Sequence, residues 1–229
     1  MSCALWARRR RAKEAVVLTA GVLISGTGTN LQAILDRVAD GTLACRVSVV
    51  ISNRAHAAGL ERARAAGVAT RVVDHRAFAG REAFDAALVE ALRAAGVELV
   101  VLAGFDRIVT RVLLGAFPGR VVNIHPALLP AFPGLHAQRQ ALEHGVRIAG
   151  ATVHFVDEQA DHGPIILQGA TVVAPDDTEE SLARRVLDIE HTIYPAAIQL
   201  FAEGRLVVEG RRVRILGERP TDGRLLPTW

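Results

Sequence analysis

Lysine is almost absent from this chain. Of its 27 lysine and arginine residues only Lys13 is a lysine, and it precedes the first strongly apolar stretch. The phosphate-binding lysine of P-loop NTPases, the strand lysine of protein kinases and the Schiff-base lysine of pyridoxal enzymes all belong to the body of a folded domain. A lysine is missing there, which excludes these three classes of enzyme.

Cysteine, aromatic residues and long apolar runs are also scarce. Cys3 and Cys45 are far apart, so a disulfide scaffold is not expected and a reducing cytoplasm suits the chain. Aromatic residues make up 4% of the sequence, leaving few platforms for stacked bases, and the arginines are scattered. The net charge of +3 therefore predicts small anionic substrates rather than nucleic acid. No apolar run is long enough to predict a membrane span.

The N-terminal segment carries the basic run Arg8-Arg9-Arg10-Arg11. It lacks the small-residue cleavage site of a signal peptide, because the apolar residues that follow lead directly into a glycine-rich loop. We expect residues 1–20 to be a disordered basic tail or an over-long start-site assignment.

Strand-like and helix-like patterns alternate over the first half of the chain. This β-α-β alternation with short turns predicts an α/β fold with a doubly wound, mostly parallel, Rossmann-like sheet. The predicted strands cover residues 22–24, 46–52, 70–73 and 98–103, and the predicted helices 30–38, 59–66 and 81–95.

The pattern changes after residue 123. Residues 150–156 and 164–173 resemble two strands joined by a loop, as in an antiparallel addition to the sheet. A helix is predicted to begin near Thr178, with Asp177 and Glu180 spaced like a capping box, and the tail beyond residue 204 alternates like an edge hairpin. The predicted apolar face of the helix that begins near Thr178 consists of Leu182, Val186, Ile189 and Ile193. We expect one domain at 21–229 with two lobes, about 21–120 and about 121–210.

A glycine-rich loop joins the first strand to the first helix. Its sequence is Ser25-Gly26-Thr27-Gly28-Thr29-Asn30, and backbone N–H groups at such a helix start can bind an anion. Leu31 stands where a dinucleotide fingerprint has its third glycine, and the second strand ends in Ser52-Asn53 without an acidic residue. A phosphomonoester therefore fits better than a dinucleotide; a plain strand–helix turn is the alternative.

Asn123-Ile124-His125-Pro126 and Asp161-His162-Gly163-Pro164 bring three groups suited to carbonyl chemistry. Asn123 and His125 lie two residues apart, on the same side of a strand. An amide and an imidazolium can donate hydrogen bonds to an oxyanion, while Asp161 can keep the imidazole charged and accept a proton. Loop capping and a turn are the structural alternative. Zinc ligation by His125, His154, Asp161 and His162 is a weaker one, because their spacing is not that of a metal site.

The longer motifs, Asn123-x-His125-Pro126-x-Leu128-Leu129-Pro130 and Asp161-x-Gly163-Pro164, resemble those of the folate-dependent formyltransferases. The resemblance covers roughly residues 22–207. It implies a transferase of purine biosynthesis that moves the formyl group of 10-formyltetrahydrofolate to the amino group of glycinamide ribonucleotide. Transfer would be direct and metal-free, and the protein would be a monomer or homodimer with small-molecule partners. Residues 21–120 would then form the nucleotide-phosphate lobe and 121–210 the catalytic and folate lobe.

The resemblance also assigns residues to each part of the site. It implies Asn123, His125 and Asp161 as catalytic residues, and it implies Gly28, Thr29, Asn30 and Glu190 for the ribonucleotide. It implies contacts with the folate by Arg81, Asp106, Arg107, Ile108, Val109, Asn123, Asp157, Glu158, Gln159, Ala160 and Asp161.

The chain departs from the family at three positions on the folate side. Asp106 replaces a common methionine, which places an acid beside the expected pterin site. Ala131 replaces a common basic residue of the proline-rich loop, and His162 replaces a glycine. The catalytic trio is unaffected.

Three other functions compete with this interpretation. Methionyl-tRNA formyltransferase shares the chemistry, but its relatives carry a C-terminal tRNA domain for which the segment after Asp161 is too short. Formyltetrahydrofolate deformylase shares the trio, but its relatives carry an N-terminal regulatory domain. A non-catalytic folate- or nucleotide-binding protein would not be expected to retain Asn123, His125 and Asp161 together.

Overall fold

The computed structural model describes residues 17–218, so the expected tail at 1–20 lies almost wholly outside the described part. The boundary at residue 20 is nevertheless wrong. The first strand begins at Leu18, where it pairs with Cys45 of the next strand. Thr19, Ala20 and Gly21 are too small or polar to reveal a strand by pattern alone, and they are buried by neighbours on both sides.

Strands and helices alternate as predicted through the first half of the described chain. The strands are β1 (Leu18–Ile24), β2 (Cys45–Ser52), β3 (Ala69–Val72), β4 (Leu99–Leu102), β5 (Val121–His125), β6 (Ile148–Phe155), β7 (Ile165–Val172), β8 (Leu206–Glu209) and β9 (Arg212–Ile215). The helices are α1 (Thr29–Ala39), α2 (Gly59–Ala65), α3 (Arg81–Ala94), α4 (Arg111–Ala116), α5 (Ala137–Glu143) and α6 (Glu179–Ala202), with a 3₁₀ turn at His75–Ala77.

These strands form a single sheet in the order β3-β2-β1-β4-β5-β6-β7-β9-β8. β1 to β5 are parallel, and the chain crosses from β3 back to the other side of β1 at β4, as in a doubly wound fold. β6 and β7 then add antiparallel strands, followed by the β8–β9 hairpin. The predicted mostly parallel sheet with an antiparallel C-terminal addition is confirmed. Ligands bind such sheets at the carboxyl ends of the strands, where the order switches.

α4, α5 and the 3₁₀ turn were not predicted; each spans at most seven residues, which leaves at most two turns of helical periodicity. Within residues 17–218, no helix combines the length and hydropathy needed to cross a membrane.

α6 lies across the sheet on a buried face that differs from the predicted one. Its buried residues repeat every four positions, and Ile189 and Ile193 flank this face instead of forming its centre. The capping box at its start pairs Thr178 with Ser181, whereas Asp177 accepts a hydrogen bond from the Ser181 hydroxyl and forms an ion pair with Arg185. The residues at the centre of the buried face are Leu182, Val186, Glu190, Tyr194 and Ile198.

Tyr194 fastens α6 to the middle of the sheet. Its fully buried hydroxyl lies 2.9 Å from the Leu102 carbonyl of β4 and 3.1 Å from the Val122 carbonyl of β5. Because Glu190 precedes Tyr194 by one helical turn, this contact also fixes the depth at which Glu190 enters the fold.

Replacing Tyr194 with phenylalanine removes this donor and leaves the ring in place. We expect Tyr194→Phe to lower the free energy of unfolding by about 1–2 kcal/mol, the usual effect of losing a buried hydrogen bond. Urea unfolding measures the change. Thr192→Ala, on the exposed face of the same helix, is the control and should change stability by less than about 0.5 kcal/mol. Equal stability of Tyr194→Phe and the parent protein would contradict the anchoring role.

Candidate active site

The glycine-rich loop at residues 25–30, which we call the phosphate loop after the ligand predicted from the sequence, joins β1 to α1. Gly28, the residue before the helix, has a φ of 72°, and no side chain caps the first turn. A Cβ at Gly28 would lie 2.5 Å from the Cα of Gly59, so both the backbone angle and the close approach of α2 require glycine. The first N–H groups of a helix lack intrahelical partners, and here they are available to an anion beside Thr29 and Asn30.

Asn30 joins this loop to α6. Its Nδ2 donates to Glu190 Oε2 at 2.6 Å, and both side chains are buried. The other amide atom, Oδ1, is buried without a partner among the described residues. An unpaired buried acceptor is unfavourable, so this atom offers a position for a ligand that donates a hydrogen bond.

Burial raises the pKa of Glu190 to about 7, while the hydrogen bond from Asn30 acts in the opposite direction. A carboxyl group at this depth is disfavoured in its charged form unless donors surround it. A single amide donor does not offset the burial. Additional donors from a ligand would therefore favour the carboxylate.

His125, the last residue of β5, contacts Asp161. His125 Nδ1 lies 3.4 Å from Asp161 Oδ2, and its Nε2 lies 2.8 Å from the Phe132 carbonyl oxygen. His125 is buried, and each ring nitrogen faces an acceptor, an arrangement that the doubly protonated ring satisfies. Asn123 lies two residues earlier on the same side of the strand.

Asp161 has an unusual backbone conformation, and its carboxylate is fixed by a backbone amide. Its φ is 52°, a left-handed conformation that is strained for a non-glycine residue. Its Oδ2 accepts a hydrogen bond of 2.8 Å from the Gly134 amide in the proline-rich loop. Two residues later, a Cβ at Gly163 would lie 1.8 Å from the Phe155 carbonyl oxygen, which explains the glycine of this motif.

His154 is a member of the site whose position the sequence did not predict. It lies opposite Asn123 in the β5–β6 register, and its Nε2 is 3.3 Å from Asn123 Nδ2. Its Nδ1 is 2.8 Å from the Phe155 carbonyl oxygen, so a neutral ring protonated at Nδ1 donates there and accepts from Asn123 at Nε2. Burial lowers the pKa of His154, which supports the neutral form. Strand register was the missing signal.

The segment at 106–109 lies between the phosphate loop and α4. The Asp106 carboxylate faces the start of the phosphate loop: it accepts hydrogen bonds from the Ser25 hydroxyl at 2.8 Å and Asn53 Nδ2 at 2.9 Å, and it pairs with Arg54. The Asp106 side chain is therefore engaged by the loops after β1 and β2, and an acid beside the pterin site stays a prediction. Burial raises the pKa of Asp106, but these donors and charges outweigh it and leave the pKa lowered.

The remaining residues predicted to contact folate are placed as follows. Arg107 and Ile108 are exposed, and Val109 is buried. Arg81 is the exposed first residue of α3, one turn before Asp85, whose carboxylate accepts a hydrogen bond from the Thr110 amide at the end of this segment. Residues 157–161 form the loop after β6, in which Glu158, Gln159 and Ala160 are exposed.

His162, the fourth residue of the zinc alternative, is turned away from His125 and contacts Asp157 and Arg211. No group of three His, Cys, Asp or Glu side chains within residues 17–218 is arranged to hold a metal ion. The geometry gives the zinc alternative no support.

Comparison with known proteins identifies the family. The sequence pattern of the family described as formyl transferase matches residues 19–198. The chain belongs to the formyl transferase family. Among its members, the phosphoribosylglycinamide formyltransferase of Escherichia coli (strain K12) is 46% identical over 198 residues, which cover 86% of this chain and 93% of that protein.

Two further relatives show how the family's members differ in length. The trifunctional purine biosynthetic protein adenosine-3 of Drosophila melanogaster is 47% identical over 189 residues, 82% of this chain but only 14% of that protein. Glycinamide ribonucleotide transformylase 1 from Symbiobacterium toebii has a solved structure that matches with a TM-score of 0.86 at 64% identity. That match covers 87% of this chain and 94% of the other.

The raised pKa of Glu190 predicts a pH-dependent stability. Because its pKa of about 7 in the folded state exceeds the unfolded value of about 4.3, the folded state holds the proton more tightly. The resulting stabilisation is complete below the unfolded pKa and is lost as the pH rises through 7. Glu190→Gln stays neutral, so at pH 8 it should be more stable than the parent protein by about 2–3 kcal/mol.

Urea unfolding at pH 4.5, 6 and 8 measures this difference. Asp188→Asn, on the exposed side of α6, is the control and should follow the parent protein at every pH. Parallel pH profiles for Glu190→Gln and the parent would show that Glu190 does not change its charge in this range.

Proposed function

We propose that this protein transfers the formyl group of 10-formyltetrahydrofolate to the amino group of glycinamide ribonucleotide, in the cytoplasm, as a step of de novo purine biosynthesis. The observation that carries the proposal is the contact between His125 and Asp161 beside Asn123, at the same sheet edge as the phosphate loop. Relatives of nearly the same length that are named for this transferase activity support it.

The ribonucleotide would lie across the start of α1. Its phosphate would accept hydrogen bonds from the amides at Gly28, Thr29 and Asn30, where positive helix polarity favours an anion. The ribose hydroxyls would donate to the Glu190 carboxylate, and one donor of the substrate would reach the unpartnered Asn30 Oδ1. This binding would shift Glu190 toward its charged form.

The folate would occupy the neighbouring side of the cleft. The backbone at Asp106, Arg107, Ile108 and Val109 would pair with the pterin ring, and the exposed Arg81 would meet a carboxylate of the glutamate tail. The loop at 157–161 would cover the folate from the side of Asp161. Asp106 would act here through its backbone, because its side chain is engaged by Ser25, Asn53 and Arg54.

The reaction is then a direct substitution at the formyl carbon. The substrate amine forms a bond to this carbon, and the carbonyl oxygen becomes an oxyanion that accepts hydrogen bonds from the second N–H of Asn123 and from protonated His125. For His125 to donate to it, the ring exchanges the Phe132 carbonyl for the oxyanion. Asp161 stabilises the imidazolium and receives the amine proton through water.

Collapse of the tetrahedral intermediate restores the carbonyl and breaks the bond to the folate nitrogen. This nitrogen takes up the proton that Asp161 received, through the same water, and leaves as tetrahydrofolate. No bond to the protein forms in this sequence, so the transfer takes place within a ternary complex. None of these steps requires a metal ion.

The proposal is tested by mixing the protein with glycinamide ribonucleotide and a 10-formyl folate and following deformylation of the folate spectroscopically. We expect turnover only when both substrates are present. Turnover that is independent of the ribonucleotide would identify a formyltetrahydrofolate deformylase instead. Binding of both compounds without turnover would favour a binding protein.

Removal of an oxyanion donor should lower turnover strongly. We expect Asn123→Ala and His125→Ala each to lower kcat by about 10²-fold or more, with much smaller changes in substrate binding. His56→Ala, at an exposed histidine, is the control and should retain full activity. Near-normal kcat in either variant would remove that residue from the catalytic role.

Asp161→Asn keeps the side-chain shape and can still accept the Gly134 hydrogen bond, but it removes the charge beside His125. We expect kcat to fall by about 10²-fold while the ribonucleotide binds within a few-fold of normal, because proton acceptance is lost but positioning is kept. The exposed Asp176→Asn is the matched control. A wild-type kcat for Asp161→Asn would reduce Asp161 to a turn residue.

A further inference from the structure

Arg211 of the β8–β9 hairpin contacts the residue that follows Asp161. Arg211 lies in the turn of this hairpin, and its Nη2 donates to the His162 carbonyl oxygen at 2.8 Å. Its Nη1 lies 2.8 Å from His162 Nε2. The guanidinium thus contacts both the backbone and the ring of one residue, a two-point contact that a planar donor group makes well.

His162 passes this contact on to the other end of the loop. Its Nδ1 lies 2.7 Å from Asp157 Oδ2. The Nδ1–H donates to the carboxylate. Arg211 Nη1 also lies 3.3 Å from this Nδ1, so the guanidinium packs against the face of the ring. Asp157 begins the loop and His162 follows its last residue, so these three side chains close the loop at its base.

The closed loop contains the strained residue Asp161. A left-handed conformation at a non-glycine residue persists only where the surroundings over-determine it. The Gly134 amide holds the Asp161 carboxylate from one side, and the next residue along the chain, His162, is held by Arg211 and Asp157. Without Arg211, the peptide that follows Asp161 loses its external restraint.

We propose that Arg211 is a positioning residue for Asp161, acting through His162, and that the β8–β9 hairpin is therefore a working part of the catalytic lobe. The role in catalysis rests on the function proposed above. The hairpin lies beyond residues 19–198, which match the family pattern, so this restraint is not part of that pattern. His162, which replaces a glycine of the resembled family, supplies the ring that a glycine could not.

The test compares Arg211→Ala with Arg212→Ala in the full chain. Arg212 is the next residue of the hairpin, is exposed and has the same charge, and its side chain makes no hydrogen bond to another described residue. Two readouts are needed: kinetics with both substrates, and amide hydrogen exchange of residues 157–163 without substrate. Exchange reports on the loop whether or not the protein transfers a formyl group, so failure of the proposed function and failure of this inference are distinguishable.

For Arg211→Ala we expect kcat to fall about tenfold, as a displaced catalytic group causes, and exchange in the loop to rise about tenfold. The KM for the ribonucleotide should stay within about twofold, because that subsite lies on α1 and α6. Arg212→Ala should match the parent protein in all three. Arg211→Lys keeps the positive charge but has a single donor nitrogen, so it should give an intermediate kcat.

His162→Gly tests the route of the effect. It removes the ring but keeps the carbonyl oxygen, so adding Arg211→Ala to it should lower kcat by less than the same change does in the parent. If Arg211→Ala and Arg212→Ala show the same hydrogen exchange in the loop, Arg211 does not restrain the loop and the inference is overturned. Faster loop exchange with an unchanged kcat overturns the positioning role.

Discussion

β5 has a parallel neighbour on one side and an antiparallel neighbour on the other, and the candidate site depends on this change of direction. Parallel pairing with β4 brings the carboxyl ends of β1, β4 and β5 to one edge, so the phosphate loop and the Asn123–His125 pair lie at the same edge of the sheet. Antiparallel pairing with β6 places His154 opposite Asn123, and the loop at residues 157–161 leaves β6 beside Val121, from where Asp161 reaches His125. A parallel strand in this place would have needed a long crossover connection, and the loop after it would have started at the opposite edge of the sheet.

Glu190 and Asp106 show how the number of hydrogen-bond donors changes the pKa of a carboxyl group. Glu190 is buried with a single amide donor, and its pKa rises to about 7. Asp106 is less buried and receives hydrogen bonds from Ser25 and Asn53 besides the charge of Arg54, and its pKa falls. One acid is therefore ready to change its charge when a ligand binds, whereas the other remains a fixed anion that ties two loops together.

Features that depend on local pattern could be predicted from the sequence, and those that depend on pairing could not. Continuous apolar runs identified the central strands, and the two-residue spacing of Asn123 and His125 placed both on one side of β5. The His154 contact depends on strand register, which no local pattern contains. The direction of the Asp106 side chain depends on neighbours from the loops after β1 and β2. Glu190 was expected at the border of the apolar face, because including Ile189 and Ile193 placed the second half of that face one residue before its true position.

The β8–β9 hairpin lies near the end of the described residues, beyond the residues that match the family pattern, yet it contacts the residue next to Asp161. Segments outside a shared core diverge readily during evolution, because they carry no reacting group. In this protein, a change in the hairpin would alter the position of Asp161 through its contact with His162. On the role proposed for Arg211, enzymes with the same Asn, His and Asp can differ in rate through this hairpin, so a comparison of their rates includes it as well as the residues of the site.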